Sequence, residues 1–270
     1  INMEQRRLKN SVKKFRDVYR EEDPIFSNER EKAEMLRLQD LSLLNIARVY
    51  FSIERYDEAD KYYTLVDRGS SHWPEAMFEQ AYSNFMLNDL NRSLGMTLTV
   101  NSPFFANDVF LPESRILRAL TFFNLCEYKQ VETILLAFED RTRPVQQELK
   151  GFVKGYASKE QLRMAEQAWD TYFGPRAVAT QIPKPFFTKL LRNEDISGIV
   201  SHMALLEDEI DLIDRQKPEW RDTVGALLKK VIDKDRTKLK RRAGKFMLAE
   251  MARWANSLQD LLSSSEIVRF

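Results

Sequence analysis

The sequence predicts an all-α protein: a solenoid of stacked helix–turn–helix units followed by a long, charged, coiled-coil-like helical hairpin. Three observations predict it. Glycine and proline are scarce, 8 and 9 in 270 residues, whereas sheet folds and phosphate-cradling loops spend glycine on turns and close backbone approach. Charged residues make up 31% and hydrophobic residues 43%, and the apolar positions recur mostly at three- and four-residue intervals. Finally, one pattern occurs three times: an alanine, an aromatic four residues later, and a packing residue in the turn beyond. The chain is long enough to bury a substantial core in one domain or two modest ones.

The elements follow in order. From Met3 to about Glu22, Leu8, Val12, Phe15, Val18 and Tyr19 fall at helical spacing, and Asp23-Pro24 ends the helix because proline disfavours a helical residue before it. A second helix is expected from about Asn28 to Glu54. Residues 41–63, 75–94 and 113–132 then align with one another. Their alanines, Ala47, Ala81 and Ala119, lie 34 and then 38 residues apart. Phe51, Phe85 and Phe123 follow at four residues, and Tyr56, Leu90 and Tyr128 occupy the next turn. Trp73-Pro74-Glu75-Ala76 and Leu111-Pro112-Glu113-Ser114 read as helix starts, where proline's missing N–H does no harm and a carboxylate meets the helix dipole.

This pattern resembles the tetratricopeptide repeat, a helix–turn–helix unit of about 34 residues. The resemblance places Ala47, Ala81 and Ala119 where helix A crosses helix B, since two helices approach to ~8–10 Å only where one side is small. Ala59 and Ser93 match the small residue of helix B, while Val131 departs, as does Asn84 at a position that is aromatic in the family. The longer second step corresponds to an insertion around Asn101-Ser102-Pro103. About 100 of the 270 residues are covered.

Beyond Arg143-Pro144 the register is lost, and a capping helix is expected from about Val145 to Phe173 on Leu149, Phe152, Tyr156, Leu162, Ala165 and Trp169. Gly174-Pro175 opens a loop running to Pro185. Next, Ile199, Met203, Leu206, Ile210 and Ile213 step by 4, 3, 4, 3 between Glu207, Asp208, Glu209, Asp211 and Asp214. A second arm begins near Glu219 with Val224, Leu228 and Val231, and its seam resumes at Met247, Met251, Trp254, Leu258 and Leu261. At ~1.5 Å per residue that arm spans on the order of 60 Å and is expected to project from the repeat body. The domain reading is therefore 1–142 for the first helix and repeats, 143–183 for the capping helix and linker, and 184–270 for the antiparallel hairpin.

Function classes narrow accordingly. With 42 basic against 41 acidic residues, the chain has no global excess for displacing nucleic-acid counterions, so no nucleic-acid partner is expected. Cys126 is the one cysteine, which allows neither an internal disulfide nor a cysteine metal cluster. No apolar run reaches the ~18–20 residues of a membrane span. The start at Ile1 without methionine, and the stop at Phe270 after an apolar turn, suggest a piece trimmed from a longer chain, with any export signal outside it. His72 and His202 lack neighbours at metal-ligand spacing, the acidic pairs Asp208/Asp211 and Glu207/Asp211 read as a solvated face, and glycine-rich phosphate loops, nucleophile elbows and HExxH patterns are absent. The expectation is no enzyme, no cofactor and no metal.

The tetratricopeptide resemblance implies a concave protein-binding groove lined by Leu44, Arg48 and Phe51 in the first unit. In the second it implies Phe78, Tyr82, Phe85 and Met86, and in the third Ile116, Leu120 and Phe123. Leu44 and Arg48 stand where the family's carboxylate clamp has Lys and Asn, so a chaperone-tail clamp is not expected, and an apolar lining suits a helix or extended segment. Either an outside protein or the chain's own helix (the first, or 145–173) could fill it. The basic block Lys234, Arg236, Lys238, Lys240, Arg241 and Arg242 reads either as an anion-binding patch or as a face paired within the molecule. The favoured function is a non-enzymatic scaffold that binds one or more proteins through groove and hairpin. The W-P-E-A and L-P-E-S starts look like tetratricopeptide proteins of gram-negative envelopes, which implies a periplasmic setting, with the cytoplasm as alternative. The rival function is the regulatory repeat region of a larger enzyme whose catalytic domain lies elsewhere.

Overall fold

The computed structural model describes residues 3–20, 29–105, 110–156, 161–174 and 177–269. They are helical, with no strand among them. The chain divides into two compact units, one of residues 1–138 with 264–270 and the other of residues 139–263. This differs from the division expected above. The capping helix, linker and most of the hairpin form one body, and the last turn of the chain belongs with the repeats.

The first unit contains α1 (Met3–Tyr19), α2 (Glu29–Ser52), α3 (Tyr56–Thr64), α4 (Trp73–Met86), α5 (Leu90–Val100), a 3₁₀ turn (Pro103–Phe105), α6 (Glu113–Asn124) and the start of α7 (Tyr128–Tyr156). Each helix from α1 to α5 packs on the next, and α4 also touches α6. Ala47, Ala81 and Ala119 are fully buried, as are Ala59 and Ser93. Around the first of these crossings, Leu43, Leu44, Tyr63, Val66 and Ala76 form the core, with Tyr19 of α1 against it.

The turns repeat as closely as the alanines do. Glu54, Asn88 and Cys126 each sit in the left-handed region, with φ of 61°, 62° and 61°. In each turn the next residue's N–H reaches back five positions: Arg55 to the Tyr50 carbonyl, Asp89 to that of Asn84 and Glu127 to that of Phe122, at 3.0, 2.9 and 3.0 Å. These Schellman closures satisfy the carbonyls that a helix end would otherwise leave open. They also reverse the chain tightly enough for the following helix to fold back.

Asn84, which stands where the repeat resemblance called for an aromatic, has a physical role. Its Nδ2 donates to Asp60 Oδ1 at 2.7 Å, Gln80 Nε2 donates to the same oxygen at 2.9 Å, and Arg92 Nη1 donates to Asp60 Oδ2 at 3.0 Å. Gln80 also reaches Thr64 Oγ1 at 2.7 Å. Asn84 and Gln80 are buried, so this network joins α3, α4 and α5 through polar groups whose partners are all supplied.

The second unit contains the remainder of α7, α8 (Gln161–Phe173), α9 (Lys184–Arg192), α10 (Glu194–Asp214), the short α11 (Pro218–Trp220), a π-helical turn (Arg221–Gly225) and α12 (Ala226–Arg269) up to residue 263. Four expectations change here. Helix α7 runs through Pro144 instead of breaking there. Leu135, Phe138, Val145 and Leu149 are all buried on its flanks, and their burial outweighs the ~3 kcal/mol that an interior proline costs. Helix α9 lies inside the stretch between the linker and Ile199, with Pro185 in its first turn and Phe186 and Leu190 buried.

The hairpin is also shorter than expected. Only the start of α12 pairs with α10, through Leu206, Ile213 and Ile232 with Ile210 and Leu239 beside them. Asp214 and Glu207 of α10 bind Lys229 and Arg236 of α12. The later part of α12 is embedded instead. Gly244 lies against the Ala165 backbone of α8, Trp254 meets the Phe186 ring edge-on at 4.7 Å, and Gln259 accepts from Gln146 of α7 at 3.2 Å. Met247, Met251 and Leu258 are buried on this side, as their spacing implies. Val224, Leu228 and Val231, expected in the seam with α10, are exposed. Gly225, Ile232 and Leu239 face inward in their place, because the missing side chain at Gly225 admits Ile213 and Trp220, whose atoms would lie 2.9 and 3.3 Å from a Cβ there.

Candidate protein-binding face

The ten residues expected to line the groove separate into three groups. Leu44 and Ile116 are buried. They pack the helix pairs and are not available to a ligand, a correction to the expected lining. Arg48, Phe51, Phe78, Phe85 and Leu120 are partly buried, and Tyr82, Met86 and Phe123 are exposed at 41%, 45% and 48%.

Across α2 and α4 the aromatics form a continuous ladder. The Phe51 ring lies 5.4 Å from Tyr82, and Tyr82 lies 6.3 Å from Phe85. Phe51 is braced edge-on by Tyr56 at 5.1 Å. In the third unit Phe123 pairs edge-on with Tyr128 at 5.6 Å. Such tilted and T-shaped pairs match the favoured arrangement of aromatic quadrupoles. The alanine-plus-four spacing placed Phe51, Phe85 and Phe123 in the sequence, but the brace from Tyr56 and Tyr128 depends on the reversed turn between them.

Arg48 is not a free cation. Its guanidinium binds Glu79 through Nε and Nη2, at 2.9 and 2.6 Å, and reaches Glu75 at 3.0 Å. Partial burial opposes the Arg48 charge, but Glu79 and Glu75 outweigh it and hold its pKa above the ordinary value. Burial and then the Glu79 carboxylate push the neighbouring Tyr63 hydroxyl up. Two carboxylates against one guanidinium leave this end of the face with a net negative charge. In the sequence Glu75 stood out only as the carboxylate of a helix start, and Glu79 not at all. Their signal was available, since they lie four residues apart on one turn-spaced face of α4 and one repeat beyond Leu41 and Asn45.

Two segments of the first unit flank this face. Helix α1 caps the first pair, packing on α2 and donating from Arg16 to the Tyr62 hydroxyl at 3.0 Å. The last turn of α12 borders Phe123. Val268 and Arg269, with Phe123, Tyr128, Val131 and Glu132, line an open cleft of about 490 Å³.

The basic block is mostly neutralised within the chain. Arg236 binds Glu207, Lys238 binds Asp235, Lys240 binds Asp170 at 2.9 Å and Arg241 binds Glu166 at 3.1 Å. Arg242 lies over the Phe246 ring at 5.9 Å. Lys234 makes no ion pair with a described residue.

His72 is half-buried before Trp73, its Nε2 has no hydrogen-bond partner among the described residues, and burial lowers its pKa. No group of three His, Cys, Asp or Glu among the described residues could hold a metal ion. No described helix is long and apolar enough to cross a membrane.

A scan against protein-family models matches none, and searches of the curated proteins and of the solved structures return no match.

Proposed function

We propose that the chain is a non-enzymatic adaptor of tetratricopeptide type that docks protein segments on the face of α2, α4 and α6. The observation that supports this most is the aromatic ladder of Phe51, Tyr82 and Phe85, half-buried at its ends and exposed at Tyr82, with the exposed Met86 beside it, on helices whose crossings and turns recur at repeat spacing. Exposed aromatics and methionine on a rigid helical face suit the apolar side of a helix or an extended strip. The excess carboxylate at Glu75 and Glu79 favours a segment that carries a basic residue near its apolar anchors.

Replacing Tyr82 or Met86 by a photocrosslinking residue in the native cell tests the reading. The same partner should be trapped at both sites and at Phe123, and not at Leu98, an exposed leucine of α5. Tyr82→Ala combined with Met86→Ala should reduce trapping from Phe123 with helicity unchanged, since truncating interface anchors costs ~2 kcal/mol or more of binding. Equal trapping at Leu98 would reject the face as the docking site.

A further inference from the structure

The π-helical turn and the first turns of α12 together carry two apolar stripes, and α10 covers only one of them. Ile232 and Leu239 face α10 with Gly225 between the arms. The richer stripe, Val224, Leu227, Leu228 and Val231, faces outward at 47%, 64%, 43% and 59% exposure. Helix α10 does the same, leaving Leu205 and Leu212 exposed at 61% and 57% beside the buried Leu206 and Ile213.

The two exposed stripes share one side of the hairpin. In each arm the outward residue precedes an inward one by a single position: Leu205 before Leu206, Leu212 before Ile213, Val224 before Gly225 and Val231 before Ile232. One residue is a rotation of ~100° in a fixed sense. Because the arms run antiparallel, the same sense of rotation turns both stripes to the same side. The pairs Asp214–Lys229 and Glu207–Arg236 set the levels of the arms, and that alignment puts Leu212 beside Val231. Soluble monomers rarely leave a contiguous apolar surface of this kind open.

The charges around the stripes are of opposite sign on the two arms. Asp208 and Glu209 lie between Leu205 and Leu212 on the same face of α10, with Asp211 at its edge. Lys230 and Lys234 follow Leu227 by three and seven positions on α12. None of these five forms an ion pair with a described residue. One surface thus carries an acidic half and a basic half, each with apolar side chains, and that is the requirement for a self-complementary two-fold interface.

We infer that this face docks a second copy of the chain, in a four-helix packing with α10 of each copy over α12 of the other. The opposite stacking, α10 over α10, would set Asp208, Glu209 and Asp211 against their own counterparts, a like-charge arrangement that association disfavours. The inference goes beyond the proposed docking face of α2, α4 and α6: it gives the hairpin, expected from the sequence to bind protein, a partner of its own.

Sedimentation velocity of the full chain at low salt, from low micromolar to tens of micromolar, should show a concentration-dependent dimer. Leu227→Asp with Val231→Asp should leave a monomer with unchanged circular dichroism, since both side chains are already exposed. Glu209→Lys and Lys234→Glu should each weaken self-association about tenfold or more, and an equimolar mixture of the two variants should associate as the parent chain does. Only pairing between chains predicts that rescue. A chain that stays monomeric, a dimer indifferent to Leu227→Asp with Val231→Asp, or a mixture that is not rescued would each overturn the inference. Tyr82→Ala with Met86→Ala should leave the dimer intact, so failure of the groove and failure of the hairpin interface are separately visible.

Discussion

Gly244→Ala sets local propensity against tertiary contact. In a solvated helix interior the change would stabilise by ~1 kcal/mol. Here a Cβ on residue 244 would lie 1.8 Å from the Ala165 carbonyl oxygen and 2.6 Å from its carbon, about 1.5 Å short of the ~3.3 Å of an ordinary carbon–oxygen contact. The obstacle is helix backbone, so α8 and α12 must separate as bodies. Separation loosens the buried side chains around the crossing, Ala168, Trp169, Ala243 and Met247, and stretches the pairs of Lys240 with Asp170 and Arg241 with Glu166. A gap of 0.5–1 Å forfeits a quarter to a half of each dispersion contact, and overpacking costs ~1–3 kcal/mol or more. A 1.5 Å overlap with rigid backbone puts the cost at the upper end of that range, so after the propensity gain of ~1 kcal/mol a net loss of ~2 kcal/mol remains, a fall in Tm of ~4–8 °C. Trp169, Trp220 and Trp254 all lie in residues 139–263, so tryptophan fluorescence during thermal unfolding reports mainly on that unit. Gly151→Ala and Gly155→Ala, where nothing lies within 4 Å of an added Cβ, are the controls and should each stabilise by ~0.5–1 kcal/mol. If Gly244→Ala behaves as these controls do, the close crossing of α8 and α12 is wrong.

Two further outcomes are expected. Glu54→Gly and Cys126→Gly should each stabilise by ~0.5–1 kcal/mol, read as a higher urea midpoint at unchanged m, because both residues hold a left-handed φ that glycine adopts without a Cβ penalty; a loss of stability at either site would contradict the Schellman turns. Burial keeps the folded His72 pKa below its unfolded value of 6.5, with Arg37 and Arg48 adding to the effect and Glu75 and Asp40 opposing it. Below pH 6.5 the unfolded chain therefore holds a proton that the folded chain lacks, so stability falls as pH drops from 6.5 towards the folded pKa. His72→Gln should flatten that part of the Tm–pH profile, and an unchanged slope would show that His72 is not its source.

What could be read from the residues, and what could not, follows from the range of the forces involved. The crossings at Ala47, Ala81 and Ala119 and the helix starts at Pro74 and Pro112 were legible because they depend on spacing and on backbone chemistry within a turn or two. Pro144 inside α7 was not, since a local rule predicts a break there and only burial contributed by distant residues reverses it. The groove lining was half legible for the same reason. Helical spacing identifies the face carrying Leu44 and Tyr82, but whether a given position is covered depends on how deeply the next helix sits, and Leu44 is covered while Tyr82 is not. The start of α12 is the sharpest case. Periodicity there supports two stripes, and Val224, Leu228 and Val231 are the more apolar choice for the seam. The fold buries the other stripe because Gly225 lets Ile213 and Trp220 come close, a matter of shape that hydrophobicity does not encode. An apolar stripe left outside by a steric decision is costly to expose, and the acidic and basic residues around it are arranged as an interface would need them. The misreading of that seam and the inference of a second copy thus have the same origin: the chain carries more apolar surface on the hairpin than one hairpin can bury.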